Sequence, residues 1–243
     1  MPKLHEISYS RDRTIAAVID YYEFLMGMYL SESEVLQPPA SGWPSINAED
    51  FGPLGKTPEV LDLLRHLPYI RHQHDDALPE AAPGARFVDY QTDILDQTPS
   101  HVVGLCSSPH GGYCFLLDTE FGVVYWIHCP SYIHANPSRE PLTGEAEVSE
   151  DEAWRSNPAW AVEDSFEFLK GQFRSLNFVP TTEGVVVETQ AVVMEEEQDA
   201  LLVVKGIWKD HRWPDMGAYK ERECLEAVEG YIEEDAPLLQ HSG

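Results

Sequence analysis

Three short apolar runs between His101 and His128, split by two glycine-bearing turns, dominate the hydrophobic pattern of the chain. The run His101–Cys106 ends at Ser107-Ser108-Pro109-His110-Gly111-Gly112, Tyr113–Asp118 ends at Thr119-Glu120-Phe121-Gly122, and Val123–His128 completes the block. Turn residues that punctuate β-branched and aromatic runs are a hairpin signature. The block therefore predicts a meander over 101–128 at the centre of an antiparallel sheet. Upstream, Ile15, Val18, Ile19, Tyr22, Leu25, Met26 and Tyr29 recur at three- and four-residue spacing and predict an amphipathic helix over 11–29. After the breaker Gln37–Pro44, Thr57-Pro58-Glu59 supplies an N-cap with proline at the first helical position, so a second helix should run over 58–66 and bury Leu61 and Leu64. A strand is expected around Arg86 to Tyr90.

Beyond the meander the pattern weakens. Pro130–Asn157 is polar and proline-containing, and reads as an excursion or lid. Periodicity returns with Phe166, Leu169, Phe173 and Leu176, which predict a helix over 163–176. Val185-Val186-Val187 is β-like, and two further helices are expected over 195–210 and 216–234, the second with Cys224, Leu225, Val228 and Ile232 on one stripe. The expected architecture is α+β: a central antiparallel sheet flanked by helices in a domain over 1–178, with a 130–157 insertion, and a C-terminal helical extension over 179–243 packed on it.

Composition narrows the class. With 243 residues, 43% hydrophobic and 11% aromatic, the chain can bury a sizeable core despite a mean hydropathy of −0.32. No apolar run approaches the roughly 20 residues of a membrane span, and Met1–Glu6 lacks the apolar core of a secretory signal. A cytoplasmic or nuclear setting is expected. The four cysteines, Cys106, Cys114, Cys129 and Cys224, form no CxxC pair and should be reduced. A cross-strand disulfide between Cys106 and Cys114 is the alternative.

Charge changes the picture most. Forty-two acidic residues against 16 basic give a net charge of −26, which excludes the basic footprint that nucleic acid or an anionic membrane requires. The acid is concentrated: 140–167 holds nine Asp/Glu and one Arg, and 183–235 holds fifteen Asp/Glu against five Lys/Arg. Such a field speeds encounter with a basic protein; it also serves solubility.

The order of an N-terminal helical part, Leu116-Leu117-Asp118-Thr119, Gly122-Val123-Val124-Tyr125-Trp126 and a helix opening Asp164-Ser165-Phe166-Glu167-Phe168-Leu169 resembles the SUKH (Smi/Knr-type) superfamily, in the manner of a fungal member, over about residues 11–176. The long 130–157 segment and the tail after Val179 depart from a minimal family domain. The resemblance implies an α+β protein-binding or regulatory module without catalytic activity or cofactor; members include bacterial immunity proteins and fungal regulators. It maps the partner-facing region onto the central strands, with Tyr113, Tyr125, Trp126 and His128 as binding candidates. Alternate residues of a half-buried strand must point inward, so these aromatics equally suit a core.

The competing class is a metal-dependent or small-molecule-binding enzyme. His128, Cys129 and His134 lie close together after the third run, and imidazole and thiolate suit zinc, although the spacing matches no recognised zinc site. His72-x-His74-Asp75-Asp76 is ligand-rich but reads as a solvated turn. Cys106 or Cys114 with His101, His110 or His128 could form a Cys-His pair. Neither G-x-S-x-G nor a P-loop motif occurs, and Asp118, at the end of an apolar run, is explained by turn capping.

Overall fold

The meander lies within a larger sheet in the computed structural model, which describes residues 6–71, 79–92, 98–108, 113–127, 129–130, 133, 150–182 and 184–240. Helix α1 (Arg11–Met26) is followed by strand β1 (Val35–Leu36), helices α2 (Ala48–Phe51) and α3 (Pro58–His66), and strands β2 (Tyr69–Ile70), β3 (Glu80–Ala82), β4 (Ala85–Phe87), β5 (Val102–Ser107), β6 (Tyr113–Asp118) and β7 (Val123–Trp126). Then come a 3-10 segment (Glu150–Ser156), strand β8 (Ala159–Ala161), helix α4 (Val162–Arg174), strands β9 (Phe178–Thr182) and β10 (Val185–Glu188), and helices α5 (Glu195–Asp210) and α6 (Glu221–Asp235). The fold is α+β, with C-terminal helices and a six-stranded antiparallel sheet in the order β3-β4-β5-β6-β7-β8.

Local chemistry sets several boundaries. Ser10 caps α1, its hydroxyl accepting from Arg13 N–H, and Thr57 caps α3 by accepting from Val60 N–H, with Pro58 at the first helical position. Helix α1 stops at Met26, three residues short of the apolar stripe; Met28, Tyr29 and Leu30 leave the helix but remain buried. Gly122 turns β6 into β7 at φ +71°, and a Cβ there would stand 2.6 Å from Tyr9 N, so the N-terminal segment crosses this turn backbone to backbone.

Register divides the sheet into two faces. Val103, Leu117, Val124 and Trp160 stand opposite one another across β5 to β8 and, with Phe115 and Trp126, join the main core under α1 and α4. The other face carries Val102, Leu116, Val123, Tyr125 and Ala159, covered by Ile7, Phe121, Ile127 and Trp154. The buried Lys170 of α4 pairs with Asp20 of α1 and Glu167 of its own helix, bracing the two helices over the first face.

The tail shares this core. Leu201, Val204, Trp208, Cys224, Val228 and Ile232 belong to the same buried cluster as α1 and the sheet. Buried Glu80 accepts from Val186 N–H (2.9 Å), tying β10 to the edge strand β3, and burial pushes its carboxyl above the ordinary range. Trp208 is fully buried and stacks on Tyr219; Trp213 packs against both and donates its indole N–H to Phe173 O (3.0 Å). Tyr219 donates to Met28 O (3.0 Å), so the α5–α6 connection is docked on the end of α1, and α6 starts at Glu221 rather than at 216. Among the described residues, no helix is long and apolar enough to cross a membrane.

Candidate functional site

Two polar assemblies stand out among the described residues, and neither is the cluster that the sequence pattern singles out. The first lies at the Asp118 end of β6. Asp118 is fully buried; its Oδ1 accepts from Glu120 N–H (2.9 Å), which is the expected turn cap, while Oδ2 accepts from Arg155 Nε (3.1 Å) and Nη2 (2.8 Å). Arg155, from the 3-10 segment, also donates through Nη2 to Glu120 Oε2 (2.7 Å) and His101 Nε2 (3.0 Å), and through Nη1 to Glu152 Oε1. Its guanidinium carbon lies 4.7 Å from the Phe121 ring centroid and 5.0 Å from that of Trp154.

His101, Asp118 and Glu120 bring their ligand atoms within 4.8 Å of one another, which is the reach of a metal site. However, all three converge on Arg155 Nη2, so the guanidinium holds the position that a cation would take. Burial pushes the Asp118 carboxyl above its ordinary range, opposed by the attraction and hydrogen bond of Arg155. The hydrogen bond from Arg155 holds the Glu120 carboxyl below its ordinary range. The arrangement is a clamp that fastens the 3-10 segment, through Trp154 and Arg155, over the second face of the sheet. The signal for it in the sequence is that Arg155 is the single basic residue among the nine acids of 140–167.

The second assembly is a groove of about 750 Å³ between the C-terminal end of α1 and α6. Glu23, Glu32, Glu221, Glu226 and Glu229 line it against one basic residue, Arg222; the half-buried Met26 and Leu225 contribute apolar surface, with the buried Tyr29 and Leu30 behind them. Glu23, Glu32, Glu226 and Glu229 are exposed, whereas Glu221 is half-buried and burial raises its carboxyl above the ordinary range. The α5–α6 connection lies against Gly27 of this lining, where a Cβ would meet Met216 Cε at 2.6 Å. Leu225, expected on the buried stripe of α6, is only half-buried and forms part of this lining.

The residues expected to bind are distributed differently. Tyr125 is 5% exposed on the second face, edge-on to Trp154, and Trp126 is 7% exposed in the main core against Phe115. Neighbours along one strand alternate faces, so these two rings cannot share a surface. Tyr113 stands in β6, and its side chain lies outside the described residues, as do His128, His134, His110 and the His72–Asp76 group. Cys129 is buried, and burial pushes its thiol up to about 12. All four cysteines are unbridged, and Cys106 is buried with its thiol raised by desolvation, against the activation that a Cys-His pair needs. A cavity between α1, the sheet and α4, bordered by Tyr21, Tyr69, Cys106 and Phe166, measures about 30 Å³, room for a water or two rather than an organic molecule.

No protein-family model matches the chain, and no curated protein or solved structure matches it.

Proposed function

We propose that this chain is a non-catalytic, acidic protein-binding module of the SUKH (Smi/Knr-type) kind, acting in the cytoplasm or nucleus on a partner with a basic surface. The observation that carries the reading is the groove between α1 and α6, where five glutamates face one arginine on a chain of net charge −26. Like charges gathered in a concavity repel one another and are relieved by an oppositely charged occupant. The family part of the proposal rests on the order of α1, the Leu117-Asp118-Thr119 and Gly122 hairpin, and the Ser165-Phe166 helix. The same charge disfavours nucleic acid and anionic membranes as partners.

The test is co-purification at low and high salt, with the complex weighed by native mass spectrometry. A discrete stoichiometric complex with a basic protein, loosened by salt, is expected. A complex indifferent to salt overturns the reading. So does about one zinc per purified chain, which would favour the metal-dependent class.

A further inference from the structure

We infer that the α1–α6 groove is the docking site for a basic amphipathic helix of the partner protein, an assignment that rests on the protein-binding reading above and gives it a place and a ligand chemistry. The lining residues lie in the last turn of α1, in the segment 27–32 that follows it and in α6, and none belongs to a strand, so they present no strand edge to an extended peptide. The occupant must arrive with its own backbone satisfied, which a helix does. Glu221 to Glu229 spans about 12 Å along α6 at 1.5 Å per residue, enough for roughly two turns of a docked helix.

The lining specifies the occupant's sides. Met26 and Leu225, both half-buried, form the apolar part that takes an aliphatic stripe, and Glu23 and Glu32 on one wall and Glu226 and Glu229 on the other take Lys or Arg flanking it. Arg222 lies 3.9 Å from Glu226 across one turn, so the groove's one cation is already directed at a carboxylate of its own helix. The apolar part separates this ligand from a simple polyamine, which would gain nothing from Leu225.

A fluorescein-labelled peptide of about four helical turns, built from Leu, Lys and Ala with Leu at i, i+3, i+4 and i+7, serves as the probe in anisotropy titrations of the full chain. Glu226→Lys with Glu229→Lys should weaken it at least about tenfold, because two attractions become repulsions, and Leu225→Ala should weaken it as well. Glu195→Lys with Glu196→Lys, the same charge change on exposed positions of α5 outside the groove, should change affinity less than about threefold. Equal losses from the two pairs would overturn the groove assignment, as would equal binding of a sequence-scrambled peptide or of spermine. Failure of the peptide to bind while a basic protein partner is still retained removes the groove assignment and leaves the module reading standing. Failure to retain any basic protein removes both.

Discussion

The clamp at Arg155 and the groove between α1 and α6 are both rich in carboxylates, yet their charges are balanced in opposite ways. At the clamp, Asp118, Glu120 and Glu152 surround a guanidinium that is 13% exposed, and Asp118 has no exposure at all. In the groove, five glutamates are set against one arginine, and four of the five are exposed. A buried carboxylate persists only when it is paired and hydrogen-bonded, because leaving water costs it several kcal/mol. An exposed one needs no pairing and contributes little to stability. The contrast teaches which acidic group serves the fold and which is available to another molecule.

Breaking the clamp should have the largest effect. Arg155→Met strands Asp118 in the sheet without its cation and is expected to cost about 3 kcal/mol or more of unfolding free energy, read by urea denaturation with circular dichroism. Adding Asp118→Asn to that variant should recover part of the loss, since the orphaned charge disappears; no recovery would mean that Arg155 acts by packing on Phe121 and Trp154 instead.

Acid should narrow this difference. With Arg155 in place, Glu120 is held below its ordinary value, so its contribution is present above about pH 4.5 and is lost as the pH falls through the lower folded value. Asp118 already titrates above its ordinary value, and without Arg155 it would titrate higher still. Its penalty in the variant therefore appears as the pH rises and vanishes once the carboxyl is protonated. Both effects have the same sign, so the stability gap between Arg155→Met and the unaltered chain should shrink as the pH is lowered through the carboxylate range. A gap constant with pH would argue against an electrostatic clamp.

The smallest effect belongs to the groove. Glu226→Gln with Glu229→Gln should change stability by no more than about 0.5 kcal/mol, and in the stabilising direction if self-repulsion dominates. A large loss in that variant would show that the groove's acids support the fold, and would erase the contrast with the clamp.

Much of the framework was legible from periodicity. Helices α3 and α5 occupy the expected 58–66 and 195–210, and the meander lies where the glycine-bearing turns place it. Short elements were less legible. Ala159–Ala161 has no alternation of its own and becomes strand β8 only by pairing with Val123–Tyr125. Residues 216–220 carry helix-compatible chemistry, but Tyr219 is drawn to Met28 O and the Trp208–Trp213 pair, which delays α6. Within the candidate sites, the cap at Asp118 was legible because it is a contact between residues two apart.

What the sequence determined by itself was therefore local and compositional: the α+β class, the long elements, the turn at Gly122 and a strongly acidic chain. Only the tertiary structure decided which acids are neutralised. Arg155 reaches Asp118 across 37 residues, and the groove joins Glu23 to Glu226 across the length of the chain. Helix and turn preferences arise from contacts within a few residues and leave a periodic trace. The pairing of distant charges is set by how the helices and sheet pack, and it leaves none.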